Sequence, residues 1–271
     1  MRKVLVKVGG ETLQKQEDRD RLAADLAGVH ERGVHLCVVH GAGPQITAMG
    51  KRLGIDSVFR GGRRVTDAAM LQAVTLAMGG EVAPALLAAC LGAGLPAVAF
   101  PAASGLLVVG RKRPPREVAG EAEPVDFGLV ADVVHADGRL LQTLWQGDYV
   151  PVLSSLVCDP CGQLLNLNAD TLVTALVKAA KIDDVVLVTG VPGVFRELAD
   201  PASHIAELSA DEIPQLISSG AVHGGMVAKL EEVAEILRLG AKQVAIVGYK
   251  DDDAVAAYID GAAGLRTIVH A

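Results

Sequence analysis

Val4-Leu5-Val6-Lys7-Val8-Gly9-Gly10, at the head of the chain, reads as an apolar strand closed by a lysine and two glycines. A run this apolar suits a strand buried on both faces, as in a parallel sheet. At its end a cation and exposed backbone N–H groups aim at one point, which suits a phosphoryl group with charge spread over several oxygens. A second apolar run, Val34 to Val39, ends in His40-Gly41-Ala42-Gly43-Pro44, another glycine turn at the mouth of a helix.

The rest of the chain fits one frame. With 271 residues and 51% hydrophobic content it can bury a large core, yet aromatics make up only 3%. That core is therefore aliphatic, as expected of helices packed on a parallel sheet. A net charge of −7 argues against nucleic acid or anionic membrane as main partner. No run of 18 or more apolar residues is free of charges and turn residues, and no signal-peptide pattern opens the chain, so a cytoplasmic protein is expected. Cys37 and Cys90 sit in apolar segments and read as core. Cys158-Asp159-Pro160-Cys161 lacks a second ligand pair for zinc and reads as a hairpin turn.

Strands and helices alternate. Leu22, Leu26 and Val29 mark a helix ending near Gly33, and a further helix runs from Pro44 to Leu53. Arg60 to Val65 is a loop, with Thr66-Asp67 starting a helix. Leu95 to Phe100 is a buried strand. Residues 101–140 break into short segments that read as hairpins, with Arg111-Lys112-Arg113-Pro114-Pro115-Arg116 at a solvated tip or as a basic flap over an anionic partner. Val150 to Leu153, Val185 to Val188, Val244 to Val247 and Arg266 to Val269 are the remaining strands. Helices are expected after Asp170 and over Val227 to Leu239. The expectation is one continuous α/β unit, residues 1–271, in two lobes of about 1–175 and 176–271.

Three further motifs join the two glycine turns. Arg64-Val65-Thr66-Asp67 puts a cation at a helix entrance. Asn166-Leu167-Asn168-Ala169-Asp170 alternates, turning its polar side chains to one side of a strand-to-helix junction. Gly224-Gly225-Met226-Val227-Ala228-Lys229 is a glycine turn with a lysine one helical turn inside. Two other phosphate-binding readings fail. Gly50-Lys51 is followed by Arg52 where a Walker loop needs Ser or Thr. Ile46 is too bulky for the third glycine of a dinucleotide fingerprint.

With these motifs the chain resembles the amino-acid kinase superfamily, and within it the N-acetyl-L-glutamate kinases. Val125-Asp126-Phe127-Gly128 and Val191-Pro192-Gly193-Val194 belong to the same resemblance. It implies a three-layer αβα sandwich around a mainly parallel sheet, an acyl-amino-acid lobe, an ATP lobe, and Mg²⁺ with the ATP. Lys7, Lys229 and the N–H groups of Gly10 and Gly43 would neutralise the phosphoryl group, with Asp170 orienting the lysines. Arg64, Asn166 and Asn168, with Gly41 and Ala42, would hold the acyl amino acid. Gly9, Thr189, Gly190, Val191, Gly193, Gly225 and Met226 would contact nucleotide. No residue is expected to bind metal directly. Ala42 and Gly190 stand where the family usually has glycine and aspartate, and His40 reads as structural.

The function implied is phosphorylation of the γ-carboxylate of N-acetyl-L-glutamate for arginine synthesis. The alternative is α-aminoadipate or glutamate borne by an acidic carrier protein, which the basic residues from Arg60 to Arg116 would suit. Arginine-inhibited members carry a helix before the first strand. Here the strand starts near Lys3, so a homodimer without strong arginine inhibition by that route is expected.

Overall fold

A computed structural model describes every residue except Leu198. β1 (Lys3–Val8) leads through α1 (Gln16–Glu31) to β2 (His35–His40) and α2 (Gly43–Arg52). The segment read as a loop holds a tight hairpin, β3 (Phe59–Arg60) and β4 (Arg63–Arg64), turning on Gly61 and Gly62 at positive φ. Asp67 then caps α3 (Ala68–Thr75), accepting from the Met70 N–H at 2.7 Å. A π-helical turn, Leu76–Val82, carries α3 straight into α4 (Ala83–Gly92).

β5 (Ala97–Pro101) is followed by β6 (Val108–Lys112), β7 (Ala131–Ala136) and α5 (Arg139–Gln146). β8 (Val150–Ser154), β9 (Leu156–Cys158) and β10 (Leu164–Asn166) lead into α6 (Ala169–Ala180). Then come β11 (Asp184–Thr189), the small pair β12 (Val194–Phe195) and β13 (His204–Ile205), β14 (Glu207–Ser209) and α7 (Ile213–Ser218). α8 (Gly225–Arg238), β15 (Gln243–Gly248), α9 (Ala254–Ile259) and β16 (Arg266–His270) close the fold.

Eight strands form one sheet in the order β14-β16-β15-β11-β1-β2-β8-β5. The β15–β16 contact is antiparallel, and the other contacts in this sheet are parallel. Strand alternation divides the core in two. Val4, Val6 and Val8 face one apolar layer with α1 and α4, while Leu5 and Leu187 face the other with α6 and α8. The result is the expected three-layer αβα sandwich. A second sheet, β10-β9-β6-β7, forms from the segments read as hairpins. Asp159 Oδ1 accepts from the N–H groups of Cys161 and Gln163, so Cys158 to Cys161 is the predicted hairpin turn.

Two expectations need correction. The Ala68–Gly92 helix is 25 residues long, with a mean hydropathy of 1.7 in its most apolar window, enough by length and composition to cross a membrane. Gly79, Gly80, Glu81 and Pro84 hide this continuity in the sequence. One face, with Met70, Val74, Ala77, Leu86 and Cys90, is buried in the core, while Leu76 and Leu91 remain exposed. The second correction concerns the basic segment. Arg113 is buried, its Nε donating to Asp132 Oδ1 at 2.8 Å, and Arg116 donates to the other Asp132 oxygen at 2.8 Å. Lys112 pairs with Asp126. Three of its cations are thus paired internally, Arg113 and Arg116 with Asp132 of β7 and Lys112 with Asp126.

The Asp126-Phe127-Gly128 turn joins this sheet to the helix entrance. Thr66 N donates to Phe127 O at 2.9 Å, and Leu129 N donates to Thr66 O at 2.6 Å. Gly128 has φ +72°, and a Cβ there would collide with the Thr66 carbonyl. Gly128→Ala is therefore expected to cost about 2 kcal/mol or more in a urea titration, through left-handed strain plus this clash.

Candidate active site

The carboxyl ends of β1 and β2 lie side by side, with Val8 opposite His40 in register. The loops that follow therefore meet. A Cβ on Gly10 would lie 2.9 Å from Gly43 N, and Gly41 N donates to Val8 O at 2.9 Å. Gln45 locks the contact by donating to Gly10 O at 2.7 Å. At Gly9, Gly43, Gly190 and Gly225, by contrast, an added Cβ would point into open space. Those backbones can approach a ligand. Ala42 has φ −148° and is buried, so its methyl carries no left-handed strain.

Lys7 reaches Asp170 in the first turn of α6, with Nζ 2.5 Å from Oδ1. Burial lowers the Lys7 pKa, but the carboxylates of Asp170 and Glu232 outweigh it and leave Lys7 raised. Lys229, on α8, is lowered by burial and then by the Lys7 charge. One cation held high and one held low face the same small space. α2 begins without a side-chain cap, so its first N–H groups also remain available to an anion, whereas in α8 the Met226 and Val227 N–H groups already donate to the His223 and Gly224 carbonyls.

Two cavities flank this cluster. One, of about 490 Å³, is lined by Gly43, Arg63, Arg64, Arg113, Asn166 and Asn168 among others. Arg64 stacks on Phe59 and donates to Ser57 Oγ at 2.5 Å and Thr47 Oγ1 at 2.9 Å. Burial lowers its pKa. Asn166 Nδ2 donates to Thr66 Oγ1 at 3.2 Å, while Asn168 caps α6 by accepting from Asp170 N at 3.0 Å. The second cavity, of about 610 Å³, is lined by Glu11, Gly190, Val191, His223, Gly225, Met226 and Lys229 among others.

Most of the residues picked from sequence thus come together, but some stand behind the walls. Gly41 and Ala42 pack beneath the first cavity, where Gly41 would meet Gly10 N and Ala42 is buried. Thr189 donates to Val191 O at 2.6 Å and braces that loop. Gly193 faces inward, where a Cβ would meet His204 Nε2 and Thr267 Oγ1. Arg113, Asp132, Glu11 and Glu232 were not picked. Glu232 had a signal, since it lies three residues after Lys229 on one helix face.

A parallel-sheet sandwich that gathers a strand-end lysine, a helix lysine and a helix-start carboxylate between two cavities has the architecture of a two-ligand anion site. Residues 2–248 match the amino acid kinase family, and the chain belongs to it. It is 42% identical over 267 residues to the acetylglutamate kinase of Anaeromyxobacter dehalogenans (strain 2CP-C), covering 97% of this chain and 98% of the relative. Solved structures share the fold. N-acetylglutamate synthase from Neisseria gonorrhoeae, complexed with coenzyme A and N-acetyl-glutamate, superposes with a TM-score of 0.83 at 20% identity. That match covers 100% of this chain and 59% of the synthase. Carbamate kinase from Giardia lamblia bound to AMP-PNP gives 0.71 at 15% identity, covering 99% and 98% of the two chains.

His40 is fully buried, its Nε2 has no hydrogen-bond partner among the described residues, and burial lowers its pKa to about 4 despite its contact with the Gly41 carbonyl. The unfolded chain takes up this proton below about 6.5, whereas the folded one resists it until about 4. The stability difference between wild type and His40→Asn should therefore shrink by about 1.4 kcal/mol for each pH unit lowered within that window. Paired urea titrations at several pH values would read it, and a constant difference would place His40 outside this role.

Proposed function

We propose that this chain transfers the γ-phosphoryl group of ATP to the γ-carboxylate of N-acetyl-L-glutamate, yielding ADP and an acyl phosphate for arginine synthesis. The observation that carries the reading is the Lys7–Asp170 pair, with Lys229 beside it, between a basic cavity and a second, glycine-edged one. The 42% identity to an acetylglutamate kinase supports the substrate.

The chemistry needs little beyond position and charge. A side-chain carboxylate is ionised at neutral pH, with a reference pKa of about 4.3, so no general base is required. Its oxygen forms a bond to the γ-phosphorus as the bond to the bridging oxygen of ADP breaks. Lys7, Lys229 and the N–H groups of Gly10 and Gly43 offset charge on the phosphoryl oxygens. Asp170 orients the lysines. Arg64 and Asn166 take the α-carboxylate, with Asn168 fixing the start of α6. Four arginines against Asp132 leave the first cavity basic, which suits a substrate with two carboxylates. Gly190, Val191, Gly225 and Met226 would cradle the nucleotide, with Gly9 at the phosphate end and Thr189 and Gly193 shaping the loop. Mg²⁺ would arrive on the phosphates, completed by water.

In this reading residues of about 1–175 bind the acyl amino acid and those of about 176–271 bind ATP. The protein works in the cytoplasm as a homodimer, and the exposed Leu76 and Leu91 offer apolar surface for pairing. A carrier-bound substrate is not favoured, since Lys112, Arg113 and Arg116 are paired internally.

Incubation with ATP, Mg²⁺ and hydroxylamine should yield hydroxamate with N-acetyl-L-glutamate and far less with N-acetyl-L-α-aminoadipate. Lys229→Ala should lower kcat by about 10²-fold or more while still binding ATP, as expected for loss of a group acting on the transition state. Hydroxamate from neither acceptor would refute the assignment. Light scattering should give twice the chain mass, and Leu91→Asp should shift it toward the monomer.

A further inference from the structure

Glu232 lies three residues beyond Lys229 in α8, so the two side chains share one face of the helix. Asp170 from α6 reaches the same carboxyl, and the charge of Lys7 from β1 acts on it. Glu232 Oε1 is sealed from solvent and has no hydrogen-bond partner among the described residues. Asp170 Oδ1 is sealed too, and its contact with Lys7 is an ion pair whose angles fall short of a hydrogen bond. Both atoms are acceptors only when ionised. Two carboxylates within hydrogen-bonding reach, each with one oxygen sealed from solvent, repel each other, and the more enclosed Glu232 is the costlier to desolvate.

One proton removes both costs. Asp170 is the better place for the remaining charge, since it holds Lys7 at 2.5 Å and stands in the first turn of α6, where the helix dipole favours an anion. Glu232, in the interior of α8, has no such support. We infer that Glu232 is a positioning residue that holds a proton on the acid side of neutrality and donates it in a hydrogen bond to Asp170, fixing that carboxylate against the two lysines.

The surroundings agree. Burial, then the Asp170 charge, pushes Glu232 up to about 7, against the pull of Lys7 and Lys229. Glu11, from the turn after β1, faces Lys229. α7 and β15, which also pack on α8, carry no titratable side chain. The adjoining turn Ala210–Glu212 brings Asp211 and Glu212, of which Glu212 accepts from Ser209 N at 2.8 Å. With the proton in place, Lys7, Lys229, Asp170 and Glu232 together carry one net positive charge, and without it none. On the phosphotransferase reading, on which this consequence rests, an arriving triphosphate favours the protonated state. Nucleotide should therefore bind more weakly as Glu232 ionises.

Infrared difference spectra of the free protein between about pH 6 and pH 8.5 read the proton directly. Wild type should show a protonated-carboxyl band that fades with a midpoint near 7, absent in Glu232→Gln. Asp170→Asn removes the neighbouring charge and should lower the midpoint by about one pH unit or more, a second test that does not depend on the Gln variant folding. No band in wild type near pH 6, or a midpoint unmoved in Asp170→Asn, overturns the inference.

Calorimetry with Mg·ATP then tests the linkage. Wild-type affinity should fall about five-fold across that range, and Glu232→Gln affinity by less than about two-fold. Identical pH dependence in the two proteins would remove the positioning role. Failure of both to bind ATP counts against the kinase reading instead, and the infrared band still decides whether Glu232 holds the proton.

Discussion

The ion pair between Lys7 and Asp170 is the joint on which the site depends. Lys7 belongs to a strand paired on both sides, with Val39 and Leu187 as its neighbours in register. Its backbone is therefore fixed by two parallel ladders. Asp170 belongs to a helix on one face of that sheet, seated by Leu172, Val173, Leu176 and Val177 in the core. A 2.5 Å contact between groups so anchored is set by the sheet and helix themselves rather than by a mobile loop. The glycine turns after β1 and β2 then need only meet above it.

Much of this frame was legible in sequence, for definite reasons. β1, β2, β11 and β15 are apolar runs ended by glycine or polar turns, and parallel burial leaves that mark in the chain. Lys7, Gly10, Gly43, Asp170 and Lys229 were legible because they sit where such elements end. What escaped was set by tertiary pairing. Arg113 looked like a surface cation in a basic run, and only the β6–β7 pairing, which sets Asp132 within reach of its guanidinium, buries it. The start of the Ala68–Gly92 helix was read at Thr66-Asp67, but its length was not, since Gly79, Gly80 and Pro84 favour no long helix. A π-helical turn carries the chain through the two glycines, with both ends held by the core.

The glycines expected to contact nucleotide show the same limit. Gly190 and Gly193 stand three residues apart in one glycine-containing loop, and sequence gives no reason to separate them. One leaves open space beside a cavity, and the other is packed against His204 and Thr267. Which glycine meets a ligand and which merely permits packing is decided by the β12–β13 pair and β16, elements distant in the chain.

The uncapped start of α2 carries a design consequence. Ala42 occupies the position where Ser, Asp or Asn would strengthen a helix by roughly 1 kcal/mol. Such a residue would fold its oxygen onto N–H groups left open here. Thermostabilisation by consensus capping would thus install a competitor inside the helix mouth. Gly224, at the start of α8, has φ +55°, where such a residue would be strained. For different reasons, both helix starts are ones an engineer should leave alone.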